Sequence, residues 1–162
     1  MPNMKSVFPK MDVYFFVQGN AEGFTPLNAF DGALLSAGVG NTNLIKLSSI
    51  LPPNAQMIEP FVLPQGDLVP VAYASKSSDI TGQIISSAVA IGIPEDDTHA
   101  GVIMEYSVGG RRDTAESIVR KMAEEALIYR GLKIKRIESI SAEHTVERIG
   151  ATFAGVVLWQ KH

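Results

Sequence analysis

Three features of this 162-residue sequence set reactive side chains among apolar neighbours. Asp31 stands at helical spacing from Leu27, Leu34 and Leu35. A carboxylate on an apolar arc costs stability unless a cation or a ligand meets it. It reads either as a solvated or salt-bridged residue at the edge of that arc, or as a cation-binding group at a pocket or subunit boundary. Glu105 is the single charge in Ala100-Gly-Val-Ile-Met-Glu-Tyr-Ser-Val. Strand alternation puts it on one face with Ile103 and Ser107, with Met104 and Tyr106 on the other. Desolvation on such a strand raises a carboxyl pKa, so that the group can hold a proton near neutral pH and act as a general acid. The plainer alternative is that this face is wet. Ser48-Ser49 lies where a strand pattern runs into Leu51-Pro52-Pro53. A serine hydroxyl next to a peptide carbonyl is a potential nucleophile. The dipeptide alone carries little, because Ser77-Ser78 and Ser86-Ser87 occur as well.

Several other chemistries lack their residues. With no cysteine, disulfides, thiolate catalysis and Cys-ligated zinc are out. His99, His144 and His162 do not form an HExxH helix, and no GxSxG elbow is present. Gly38-Val-Gly40-Asn41 has neither a P-loop lysine nor a third Rossmann glycine. A net charge of −3 is not the footprint of a nucleic-acid binder. Hydrophobic residues make up 46% and charged residues 19%, ample for one core and unlike a disordered chain. The N-terminal stretch lacks the apolar run of a signal peptide, and residues 155–159 are too short to span a bilayer. We expect a soluble, cytoplasmic, single-domain protein with no metal, membrane or nucleic-acid partner.

The elements that must position these side chains follow from periodicity. Residues 12–18 read as a strand, followed by a loop over 19–23. Thr25-Pro26 starts a helix that reaches about Ala37 and stops at Gly38, with Leu27, Phe30, Leu34 and Ala37 facing inward. Residues 43–50 read as one strand ended by the proline pair, and 54–66 as an irregular loop. Further strands are expected over 68–74, 83–93, 102–108, 134–141 and 151–159. A long helix spans 114–129, with Asp113 as its cap, Glu116 completing a capping box, and Ala115, Ile118, Met122, Ala126 and Tyr129 inside. Arg111-Arg112 and Glu143-His144-Thr145 read as polar turns. Two helices and six or seven strands, several apolar on both faces, predict a layered α+β sandwich with helices outside.

Three blocks carry a resemblance: TPLNAFDGALLSAGVGNTNLIKLSSILPP (residues 25–53), GVIMEYS (101–107) and RIESISAEHTVERIGATFAGVVLW (136–159). Together they resemble the archaeal-type pyruvoyl-dependent arginine decarboxylases. That resemblance implies a four-layer αββα sandwich of the pyruvoyl-dependent histidine/arginine decarboxylase type, assembled as trimers or pairs of trimers with active sites between subunits. It implies self-cleavage between Ser48 and Ser49 into chains 1–48 and 49–162. Ser49 Oγ attacks the Ser48 carbonyl, and Ser49 becomes a covalent pyruvoyl group, so that neither pyridoxal phosphate nor a metal is required. Asn43 matches the residue that assists processing at the oxyanion, and Glu105 the proton donor. Asp31 matches the acid that receives the substrate guanidinium, and Leu34, Gly40 and Thr42 match positions that line the pocket. The implied reaction is L-arginine to agmatine and CO₂, feeding polyamine synthesis. Two alternatives stay open: the same chemistry on lysine, ornithine or histidine, and a trimeric domain that never cleaves.

Overall fold

A computed structural model describes residues 8–161. In chain order the elements are β1 (Val13–Glu22), α1 (Pro26–Ser36), β2 (Asn43–Lys46), β3 (Ile50–Leu51), β4 (Gln56–Met57), β5 (Leu68–Ser78), β6 (Ile84–Pro94), β7 (Gly101–Val108), α2 (Arg112–Tyr129), β8 (Ile134–Thr145) and β9 (Gly150–Trp159). They form a five-stranded sheet in the order β2-β5-β9-β1-β4 and a four-stranded sheet in the order β3-β7-β6-β8.

Side-chain alternation builds four layers. On β1 and β9, Phe15, Val17, Phe153 and Val157 face α1 and pack on its Ala29, Ala33 and Leu34. The intervening Tyr14, Ala154 and Val156 face the other sheet and meet Val89, Ile91 and Ile103. The far side of that second sheet, through Ala88, Ala90 and Val102, receives Ala115, Val119, Ala123 and Leu127 of α2. The order is therefore helix, sheet, sheet, helix: the expected αββα sandwich. Burial on both faces explains why β9 is a near-continuous apolar run.

Helix α1 begins as expected. Thr25 caps it by accepting from the Asn28 N–H at 3.1 Å, Pro26 follows, and Gly38 leaves with φ 84°. Its inward face includes Phe30, Leu34 and Ala37 as expected, but Leu27 is 73% exposed, and Ala29 and Ala33 fill the core beside Leu34. Small residues win there because the helix lies almost on the backbone of β1, as Gly19 shows: a Cβ on that residue would sit 2.3 Å from the Ala33 carbonyl oxygen. For the same reason residues 19–22 are strand rather than loop, their pairing with β9 running unbroken from Val13–Trp159 to Glu22–Gly150.

The rest departs in instructive ways. Residues 43–50 are two short strands in different sheets, not one. The loop over 54–66 contains β4, which pairs in parallel with β1. Helix α2 starts earlier, at Arg112, without a side-chain cap from its own chain start. Glu143 of β8 accepts from the Arg112 backbone N–H at 3.0 Å, while Glu116 is occupied by the Ser139 and Ser141 hydroxyls. The stripe of α2 is rotated: Val119, Ala123 and Leu127 are buried, whereas Ile118 and Tyr129 are 37% and 93% exposed. Residues 143–145 continue β8 rather than turning. Arg112 is not merely a solvated turn residue, since its guanidinium donates to the Ser141 carbonyl at 2.9 Å.

Candidate active site

Ser48-Ser49 is the point where the chain leaves one sheet for the other. Strand β2 pairs in parallel with β5, and the ladder continues until the Leu47 N–H donates to the Val71 carbonyl at 2.8 Å. Two residues on, the Ile103 N–H donates to the Ser49 carbonyl at 2.7 Å, and β3 pairs antiparallel with β7. The Ser48–Ser49 peptide is thus stretched between two anchored ends. Ser48 is exposed and Ser49 half-buried.

Glu105 lies on β7, two residues beyond the strand position that holds Ser49. It shares a strand face with Ile103, which belongs to the core between the sheets. Its side chain is 32% exposed, and Lys46 Nζ lies 3.4 Å from Oε1. Oε2 is buried and has no hydrogen-bond partner among the described residues. Burial pushes the carboxyl up from its ordinary value of 4.5; the Lys46 ammonium and the Tyr73 backbone pull the other way without cancelling it. The structure therefore brings Ser48, Ser49 and Glu105 together, and adds Lys46, which the sequence reading did not single out. One signal was available: a lysine inside Asn43-Leu-Ile-Lys-Leu, five residues of strand character that run directly into the serines.

The other expected site residues lie apart within the chain. The Asn43 amide donates to the Gly66 carbonyl at 2.9 Å. Asn43 lies five positions before Ser48, a span of about 16 Å along an extended chain. Asp31 is exposed on the outer side of α1, flanked one turn away on each side by Leu27 and Leu35, and no hydrogen bond or ion pair engages it among the described residues. Gly40 and Thr42 line a surface cavity of about 280 Å³ with Leu35, Phe61 and Val62. Leu34 is buried in the core beneath α1. Among the described residues no cluster of His, Asp and Glu could hold a metal.

Comparison with known proteins bears directly on this arrangement. Residues 13–160 match the family model for pyruvoyl-dependent arginine decarboxylase. The chain belongs to that family. It is 51% identical over 145 residues to the pyruvoyl-dependent arginine decarboxylase of Methanocaldococcus jannaschii, covering 90% of this chain and 88% of the relative. Identity to the Methanococcus aeolicus protein of the same name is 50% over 146 residues, with 90% and 88% coverage. The Pyrococcus horikoshii protein is 45% identical over 142 residues, with 86% and 89% coverage. Membership implies a covalent pyruvoyl cofactor, and the residues fit one. A serine sits in a strand-free crossing held at its carbonyl, and a carboxyl with an unpartnered buried oxygen lies on the adjacent strand.

Proposed function

We propose that this chain is a proenzyme that cleaves itself between Ser48 and Ser49 and, once matured, converts L-arginine to agmatine and CO₂. The observation that carries the reading is the crossing itself: the Ser49 carbonyl is held by Ile103, two positions from a carboxyl whose pKa burial raises. Ser49 Oγ attacks the Ser48 carbonyl carbon, and the amide becomes an ester. Elimination releases the Ser48 carboxylate. Hydrolysis with loss of ammonia then leaves the pyruvoyl group at the head of a 114-residue chain (162 − 48) beside a 48-residue one. Asn43 is the donor to the oxyanion that forms on the Ser48 carbonyl in this reading.

The pyruvoyl group, once formed, supplies an electron sink for the bond to the departing CO₂. Glu105 returns a proton to the α-carbon through its unpartnered oxygen. Asp31 grips the guanidinium with two parallel hydrogen bonds, which selects arginine by geometry as well as charge. Leu34 shapes the wall behind Asp31, and Gly40 and Thr42 contribute the rim of the pocket. The protein works in the cytoplasm as a trimer or a pair of trimers, with each pocket closed by the next subunit. In support, Asp31 is bordered by apolar side chains that one chain leaves open, Leu27 at 73% and Leu35 at 52% exposure.

Mass spectrometry of the denatured protein, combined with release of labelled CO₂ from arginine, lysine, ornithine and histidine, tests the reading. Two fragments in place of the 17.4 kDa chain, with arginine the preferred substrate, are expected. A single intact species after incubation would overturn the processing step.

A further inference from the structure

Lys46 and Glu105 end up on different chains if the Ser48–Ser49 bond is cut, Lys46 two residues before the break and Glu105 far beyond it. The lysine is held at two points. Its Nζ lies 3.4 Å from Glu105 Oε1 and 4.7 Å from the centroid of the Tyr73 ring. That ring is itself fixed, with centroids 5.2 Å from Phe153 and 6.2 Å from Phe30 beneath α1. An ammonium over an aromatic face is attracted by the ring quadrupole, so Tyr73 limits where the charge can go. The backbone on either side is extended, since β2 pairs with β5 as far as Lys46–Val71 and the Leu47 N–H continues the ladder.

The surroundings of Glu105 offer no substitute. Val89 of β6, directly opposite in register, is apolar. Tyr73 of β5 contributes its backbone, and among the described residues Lys46 is the one charged group acting on the carboxyl. The two carboxyl oxygens are therefore unlike. Negative charge is stabilised on Oε1 by the ammonium, so protonation of the carboxyl falls on Oε2, which has no hydrogen-bond partner among the described residues.

We propose that Lys46 is a positioning residue for decarboxylation: braced over Tyr73, it grips Glu105 by Oε1 and keeps the proton on Oε2. This rests on the reading above that Glu105 is the proton donor. Because the grip joins the small chain to the large one, the product of self-cleavage keeps its general acid aligned without a peptide bond between them.

The test uses the full chain, with Lys46→Met and Lys46→Arg compared after mass spectrometry has confirmed cleavage. Methionine keeps the unbranched stem and removes the charge. For Lys46→Met, kcat with arginine is expected to fall about tenfold, the loss typical of a misaligned general acid, with KM changed less than about twofold. The alkaline limb of its kcat–pH profile is expected to move to higher pH, because the ammonium that eases ionisation of Glu105 is gone. Lys46→Arg, which retains charge and stacking, should restore the position of the limb and most of kcat. A purely structural lysine would lower thermal stability and leave the limb where it is. That result, or a Lys46→Met chain that stays at 17.4 kDa, overturns the assignment. Carbon-13 titration of the Glu105 carboxyl gives a readout independent of turnover and should move in the same direction in Lys46→Met. Normal turnover by Glu105→Gln would instead remove the donor role on which the assignment rests.

Discussion

Glu105 has one oxygen paired with a cation and one buried without a partner among the described residues, an asymmetry that suits a group meant to give a proton in one direction. Glu105→Gln preserves shape and removes the acid. We expect it to cleave to two chains as wild type does, yet to release CO₂ about 10² to 10⁴ times more slowly, the usual worth of a positioned general acid. Wild-type turnover should itself decline as pH rises through the raised pKa of this carboxyl, because only the protonated form donates. Ser49→Ala lacks the hydroxyl that attacks and should remain a single 17.4 kDa species indefinitely. Asp31→Ala is expected to process normally but to lose about 10² to 10⁴-fold in kcat/KM for arginine, since its two charge-assisted hydrogen bonds contribute about 1.5–3 kcal/mol each. An unchanged preference for arginine over lysine in that variant would exclude Asp31 from guanidinium recognition.

Among the elements, β1 is tied to the turn between β8 and β9 by a single carboxylate. Glu22 accepts from the Arg148 N–H at 2.7 Å, Ile149 at 3.1 Å and Glu147 at 3.3 Å, and lies 2.6 Å from His144 Nε2. Burial alone would raise its pKa, but His144 and the three backbone N–H groups outweigh that and bring it down to about 2. The folded value lies below the ordinary 4.5, so the stabilisation is fully present above about pH 4.5 and is lost as pH falls towards 2. Glu22→Gln should therefore cost about 1–2 kcal/mol at neutral pH, read from denaturant melts, and the difference from wild type should close near pH 2. Gly150 is part of the same tie: a Cβ there would meet His144 at 2.4 Å and Glu22 at 2.6 Å. Three residues before Glu22 on β1, Gly19→Ala forces α1 off the sheet. A lower melting temperature is expected there, together with weakened arginine affinity through displacement of Asp31.

Across the whole molecule, the proposed cut falls where it separates little. Residues 1–48 contain β1 and β2, both strands of the five-stranded sheet, and α1, which packs on it. Strand β1 lies between β9 and β4 and keeps its full antiparallel ladder with β9, and β2 keeps its pairing with β5. The two chains should therefore travel together in native mass spectrometry and part only in denaturant. The exposed edge around Asp31 is the place to test assembly. Leu27→Glu leaves the core untouched, because this side chain already faces solvent, and is expected to lower the sedimentation coefficient and abolish turnover together.

Much of this protein was legible from the chain alone, where the determining physics is local. Thr25-Pro26 and Gly38 bound α1 because capping and φ preferences act within a few residues. Alternation in 101–108 placed Glu105 with Ile103 because a strand has a period of two. The apolar character of β6 and β9 announced a sheet covered on both faces. What required the tertiary structure is whatever depends on which sheet a strand joins. Residues 43–50 have the composition of one strand; that they divide between two sheets, with Ser48-Ser49 at the crossing, is decided by partners on β5 and β7 far along the chain. The rotation of α2 and the trans cap from Glu143 are set by the sheet beneath it. Lys46 meets Glu105 for the same reason: they are 59 positions apart in the chain (105 − 46), and only the packing of one sheet on the other makes them neighbours.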